Sequence, residues 1–356
     1  MNFTSDNITG ASDKVLAALV RANNGPLPSY GNDPMTKGVE ARLGEVFEHA
    51  VKVFLVTTGT AANALAISAL VPPYAALFCH AEAHVVDDEC GAPEFFMGGG
   101  KLVGVEGHGA KLSAAMLKAH LANEPGGTNH PPFRGLSFSQ ATECGMVHRL
   151  DEIAALAAAA HEAGMAVHMD GARFANALLT LGCTPAEMTW KAGVDCLSFG
   201  GTKNGCLMAE AVVFFDERLA ADFLYRRKRA GQTVSKGRLL SAQFEAYLDD
   251  DHWLDLARHA NRMAQMLSQG LAALPGIRLA WPTEANEVFA ILPDALASAL
   301  RAGGAGFYEW TDRSLAPDNR LKPGESVNRF VCSFATREDE VAGLIALARS
   351  NPIQAA

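Results

Sequence analysis

Short apolar runs alternate with longer stretches of helical spacing from about residue 50 to about residue 230. Val51–Thr57, Ala75–Cys79, Lys101–Val105, Gly135–Gln140 and Ala209–Phe215 read as strands, as do the runs opening at Met165 and Val194. Several are apolar throughout, with no in–out alternation, which suits strands buried on both faces of a parallel sheet. Between them, Ala61–Leu70, Ala110–Asn123 and Asp151–Ala163 have helical character, and Asp151 and Glu152 suit a helix N-terminus. Strand–helix alternation of this kind predicts an α/β fold with a mostly parallel sheet covered by helices on both sides. After Gly231 the pattern changes. Leu239–Leu274 is a long amphipathic helical region ending at Pro275-Gly276. Strands are expected at Arg278–Trp281, Glu287–Leu292 and Asn328–Phe334, and helices at Asp294–Ala302 and Glu338–Ser350. Gly303–Gly306 and Ala316–Glu325 read as loops. A large domain over residues 1–244 and a smaller C-terminal α/β domain over residues 245–356 are therefore expected.

Composition narrows the function classes. The chain of 356 residues is 49% hydrophobic and 19% charged, as for an ordinary globular protein. A net charge of −9 argues against binding to a nucleic acid backbone. No apolar stretch is long enough to span a bilayer, and M-N-F-T-S-D-N lacks the basic and apolar regions of a secretory signal. The seven cysteines are scattered and include no Cys-x-x-Cys pair, which argues against a structural zinc site and fits a reducing cytoplasm.

The chemistry lies at the ends of two apolar runs. Met165–Asp170 ends in Asp170, followed by Gly171, Ala172 and Arg173. The run from Val194 ends in F-G-G-T-K-N, with Lys203. Either residue alone could simply open a loop. A carboxylate and an amine delivered to one edge of a sheet are what pyridoxal 5'-phosphate requires: the Lys forms the Schiff base, and the Asp keeps the pyridine nitrogen protonated so that the ring accepts electrons. Thr57-Thr58-Gly59-Thr60, between the first strand and its helix, offers hydroxyls and free helix N-terminal amides to a phosphate. His84 and His130 could each stack on a flat ring or move a proton, or be plain loop residues. His168 shares a strand face with Asp170 and reads as its buttress. Arg173 and Arg329 could each capture a carboxylate or form a surface ion pair. Arg226, Arg227, Lys228 and Arg229 form a basic run that suits a helix C-terminus or a phosphate.

H-M-D-G-A-R (168–173), S-F-G-G-T-K-N-G (198–205), A-H-V-V-D-D-E-C-G-A-P-E-F-F (83–96) and S-Y-G-N-D-P (29–34) resemble the threonine aldolases, with low-specificity L-threonine and L-phenylserine aldolases the nearest in kind. The resemblance runs from S-D-N (5–7) to R-F-V-C-S (329–333). It implies a fold-type-I, aspartate-aminotransferase-like large domain that includes an N-terminal active-site segment. It also implies cleavage of β-hydroxy-α-amino acids to glycine and an aldehyde, and a homotetramer. By the same resemblance, Lys203 is the Schiff-base lysine and Asp170 the ring-nitrogen partner, Thr58, Gly59 and Thr60 bind phosphate, and His84 stacks on the ring. Arg173 and Arg329, helped by Ser5 or Asn7, serve the cofactor hydroxyl and the substrate carboxylate, and His130 meets the substrate's β-hydroxyl. Tyr30 and Lys228 serve in a second tier, across a subunit boundary. The proton acceptor is His84, His130 or a water between them. One departure is visible: the segment after Lys228 runs G-Q-T-V-S-K-G-R, so a basic contact from that region falls to Lys236 or Arg238. An aminotransferase or β-eliminating lyase of the same fold would form a keto acid instead, and a non-catalytic cofactor-binding protein would have no need of both His and both Arg residues.

Overall fold

The computed structural model describes residues 1–351. Seven strands form one sheet: β1 (Lys52–Val56), β2 (Ala76–His80), β3 (Lys101–Val105), β4 (Phe133–Ser139), β5 (Ala166–Gly171), β6 (Cys196–Gly200) and β7 (Glu210–Phe214). Their spatial order is β1-β7-β6-β5-β4-β2-β3. Neighbours from β3 through β6 are parallel, and β7 runs against both β6 and β1. The expected mostly parallel sheet is present. The reversed β7 follows from its connection: only a short, helix-poor link joins Gly200 to Glu210, whereas a parallel crossover takes a dozen or more residues. Because β1 is antiparallel to β7, it points the same way as β6, so the carboxyl ends of β1, β2, β4, β5 and β6 share one edge.

Alternate side chains of each strand enter two cores. In β2, Ala76 and Phe78 join the larger cluster with Leu136, Met169 and Phe199, while Leu77 and Cys79 join Leu65, Ile67 and Phe214 on the other face. Ala-rich Gly59–Leu70 lies in that second layer, and its small side chains let it sit close on the sheet.

Four antiparallel strands form the second sheet, in the order β10-β11-β9-β8: β8 (Arg278–Leu279), β9 (Glu287–Pro293), β10 (Tyr308–Trp310) and β11 (Glu325–Val331). Helices His252–Ala272, Asp294–Ala302 and Glu338–Ser350 cover one face through Leu267, Leu271, Leu300 and Leu344. The 21-residue helix His252–Ala272 serves both bodies: Trp253 and Ala257 belong to the large core, Met263 to Leu271 to the small one. A division after residue 244 falls inside the helix Arg238–Leu248. The chain start also packs with the small sheet: Phe3 donates its N–H to Gly306 O at 2.8 Å and accepts the Val331 N–H at 2.8 Å. Two helices absent from the hydrophobic pattern are present, Asp13–Ala22 and Pro34–Val46, capped by Ser12 and Asp33. No described helix is long and apolar enough to cross a membrane.

Candidate active site

Two glycines set the spacing of the central strands. A Cβ on Gly171 would lie 2.8 Å from Ser198 O, and one on Gly200 would lie 2.5 Å from Ala172 O, so neither position admits a side chain. This close approach sets Asp170 and Lys203 at one sheet edge, where both line a cavity of about 420 Å³. Thr57, Thr58, Gly59, Thr60, His84, Arg173 and Asn7 line it too.

Asp170 is buried and fully engaged. Its Oδ2 accepts from Asn63 Nδ2 at 2.7 Å and its Oδ1 from the Ala172 N–H at 3.0 Å. Asn63, an amide inside an otherwise apolar helix, also donates to Glu89 Oε1 at 2.8 Å. The same Glu89 oxygen lies 2.9 Å from His84 Nδ1. That hydrogen bond lifts His84 above the ordinary imidazole range, against the effect of its burial. Asp170, Asn63, Glu89 and His84 thus form one polar chain from the sheet edge to the cavity wall. His168 is not the buttress: its Nδ1 meets Ser137 Oγ and its Nε2 meets Ser198 Oγ, each at 2.9 Å. Burial lowers its pKa to about 4, so it is a neutral structural imidazole.

Lys203 sits in a single turn, Thr202–Asn204, directly after β6. Asn204 pins that turn by donating to Tyr247 Oη and Trp253 O, both at 2.8 Å, and Glu210 accepts the Gly201 N–H at 2.9 Å. The backbone is held at several points, while no hydrogen bond among the described residues engages Lys203 Nζ.

Thr58 caps the helix Gly59–Leu70, its Oγ1 accepting the Ala61 N–H at 3.1 Å. Nothing lies within 4 Å of where a Gly59 Cβ would stand, so the first amides of a 12-residue helix open on the cavity. This is an anion cradle of the kind a phosphate needs. Gln232 Oε1 holds the preceding residue, accepting from Thr57 N at 3.0 Å and Thr57 Oγ1 at 2.9 Å. Within one chain, Lys236 and Arg238 stay away from this turn. Arg238 donates to Gly25 O at 2.8 Å, Lys236 is exposed, and neither lines the cavity. Gln232, from the same segment, makes the contact to the phosphate turn. An uncharged residue gave no charge signal in the sequence.

The two arginines sit differently: Arg173 lines the cavity and Arg329 does not. The Arg173 fork is already taken: Nε and Nη2 donate to Asp6 at 2.8 and 3.1 Å, and Nη1 lies 3.2 Å from Glu287. Burial opposes the charge on Arg173, but Asp6 and Glu287 outweigh it and hold the guanidinium firmly protonated. Burial would raise the Asp6 carboxyl, but the charges of Arg173 and Lys203 and the hydrogen bonds from Arg173 and Asn286 hold it below the ordinary carboxylate range. Arg329 lies outside the cavity wall, 4.2 Å over the Trp310 ring, with Nη1 3.9 Å from Glu287. Ser5 acts as a cap, accepting the Asn7 N–H at 3.1 Å, and is one step removed from the cavity that Asn7 lines.

Three further expected residues, beyond Arg329 and Ser5, are not brought to this cavity within one chain. His130 is exposed and precedes β4, at the amino end of a strand whose carboxyl end carries Ser139 of the site. Tyr30 is half exposed, with Lys228 Nζ 5.2 Å over its ring, and neither reaches the cavity wall.

The cavity fits pyridoxal 5'-phosphate on three counts: a free amine, a buried carboxylate held on both oxygens, and an amide cradle beyond a helix N-terminus. Comparison with known proteins agrees. A family model described as "Beta-eliminating lyase" matches residues 2–295. The chain is 44% identical to the low specificity L-threonine aldolase of Pseudomonas sp. (strain NCIMB 10558), over 97% of this chain and 96% of that one. It is also 44% identical to the Pseudomonas aeruginosa protein of that name, over 96% and 95%. The solved structure of Leishmania major threonine aldolase superposes with a TM-score of 0.90 at 28% identity, covering 98% of both chains. Sphingomonas wittichii serine palmitoyltransferase, at 17% identity and a TM-score of 0.68, shares the fold. The chain belongs to the beta-eliminating lyase family and, within it, to the low-specificity L-threonine aldolases, pyridoxal-phosphate-dependent enzymes of fold type I.

Proposed function

We propose that this protein cleaves L-threonine, L-allo-threonine and related β-hydroxy-α-amino acids, phenylserine among them, to glycine and an aldehyde. The observation that carries this reading is the pairing of Lys203 and a doubly bonded, buried Asp170 at one edge of the sheet, in one cavity. When bound, pyridoxal 5'-phosphate supplies a ring that takes up the electron pair left as Cα–Cβ breaks. Lys203 would hold its aldehyde carbon, Asp170 its ring nitrogen, and the Gly59 and Thr60 amides, with Thr58, its phosphate. His84, fixed by Glu89, would cover the ring and keep its Nε2 available for a proton. Arg173 is already neutralised by Asp6 and Glu287, so this reading gives it two tasks: to bind the cofactor hydroxyl or the substrate carboxylate, and to hold the N-terminal segment across the site. Asn7, Ser5 and Arg329 would complete the carboxylate site.

His130, Tyr30 and Lys228 enter this reading through a neighbouring copy of the chain. A homotetramer in the cytoplasm is the proposed state. The exposed Phe95, Tyr225 and Leu224, at 77%, 75% and 59%, support coverage by another copy. Sedimentation at assay concentration should show an oligomer. A fully active monomer would remove His130 from the reaction.

The functional test is a coupled aldehyde assay on L-threonine, L-allo-threonine, phenylserine and D-threonine. All three L-substrates should release aldehyde and glycine. An apolar pocket discriminates one substituent by only about 1–3 kcal/mol, so threonine and phenylserine should both be accepted. Formation of a keto acid, or faster cleavage of D-threonine than of L-threonine, would reject the reading.

A further inference from the structure

Glu143 is an acid in the cavity wall with no task so far. Of the other cavity acids, Asp170 accepts hydrogen bonds on both oxygens, Glu210 Oε2 holds the Gly201 N–H at 2.9 Å, and Asp88 is exposed to solvent. Among the described residues, Glu143 has a single long hydrogen bond, from Ser139 Oγ at 3.3 Å, and no salt bridge to a cation. Its backbone is nonetheless fixed. Thr142 Oγ1 donates to Gly109 O at 2.8 Å and accepts the N–H groups of Cys144 and Met146, and Gly145 N–H closes the turn on Thr142 O at 2.8 Å. A rigid turn therefore presents a carboxyl with a spare oxygen to the cavity that holds Lys203, Asp170 and His84.

We propose that Glu143 is the base that takes the proton from the hydroxyl on the substrate's Cβ. This rests on the retro-aldol reading above. The hydroxyl O–H bond breaks as a carboxyl O–H bond forms at Glu143. The oxygen's electron pair becomes the second bond of the aldehyde carbonyl, and the Cα–Cβ pair stays with Cα. A proton then adds at Cα, so glycine and the aldehyde together contain every atom of the substrate. His84 also lines this wall, but Glu89 raises it above the ordinary imidazole range, which favours the imidazolium, a form with no lone pair left to take the hydroxyl proton.

The electrostatic setting supports this role. Burial lifts the Glu143 carboxyl above the ordinary carboxylate range; His84, Lys203 and Arg173 pull it back, while Asp170 pushes it further up. Glu287 on β9, buried against Arg173, is a second acid in its field. A carboxyl raised above the ordinary range is a stronger base than an ordinary one wherever it is ionised. Falling pH protonates it and removes the base, so kcat/KM for cleavage should decline on the acid side, at higher pH than a free carboxylate would dictate.

The test uses the holoenzyme and Glu143→Gln. Cleavage of L-threonine should fall by about 10²-fold or more in kcat/KM, and the acid limb of the pH profile should disappear. The dissociation constants for the cofactor and for glycine, which has no hydroxyl on Cβ, should stay within about threefold of wild type in absorbance titrations. Glu143→Asp keeps a carboxyl and serves if the Gln variant does not fold. It should retain the acid limb at a rate lower by roughly tenfold. A Gln variant with wild-type kcat/KM and an intact acid limb, or an Asp variant with unchanged kcat/KM, would overturn the assignment. Wild-type protein that released no aldehyde from any β-hydroxy-α-amino acid would instead overturn the retro-aldol reading.

Discussion

Replacing Lys203 with alanine should abolish covalent capture of the cofactor and lower turnover by roughly 10³-fold or more. The turn that carries Lys203 is held by Asn204, Glu210 and Tyr247, none of which needs the amine. The variant should therefore fold, and its melting temperature should stay close to that of wild type. Borohydride reduction followed by mass spectrometry separates the outcomes. Wild-type protein should gain the reduced cofactor's mass on the peptide containing Lys203, and the variant should gain none. Wild-type turnover, or cofactor mass retained on another lysine, would show that Lys203 is not the attachment point.

Asp170→Asn is the second large effect expected. The substitution keeps the size and the Ala172 contact but removes the charge. It also turns an acceptor towards Asn63 into a group that can present N–H to N–H. Activity should drop about 10²-fold, equivalent to about 2.7 kcal/mol in the barrier. Cofactor should still bind covalently, because Lys203 is intact. The predicted signature is thus slow turnover with covalent cofactor retained, the opposite of the lysine variant. A loss below about threefold would mean that the carboxylate does not support the ring.

Much of this site could be read from the sequence because its parts terminate apolar runs. Asp170 stands near the end of β5 and Lys203 just beyond β6, and the nearby glycines Gly171 and Gly200 mark the close strand approach. Strand direction is not carried by hydrophobicity, so β7 resembles its parallel neighbours; only its short connection distinguishes it. The helices Asp13–Ala22 and Pro34–Val46 pack an apolar stripe against a third helix, and their local signals are caps, Ser12 and the Asp33-Pro34 pair. Among site residues, Asn63 was discoverable as a lone amide in A-A-N-A-L, where a buried polar group demands partners. Glu89 lies five residues after His84, within the same quoted motif. Asp6, Gln232 and Glu287 are different: each contacts a residue far away in sequence, and nothing local distinguishes them from surface polar residues. The tertiary fold alone assigns their partners, and the same is true of the carboxylates that occupy the Arg173 fork.

The segment around Phe3 and Asp6 also has a consequence in time. Its partners are Arg173, Asn286, Gly306 and Val331. The segment is synthesised before all of them, and its contacts to Asn286, Gly306 and Val331 must wait until the small sheet has emerged. The large sheet can form well before then, since its last strand ends at Phe214. The buried Arg173 cluster cannot be completed by then, because its Glu287 lies on the later strand β9.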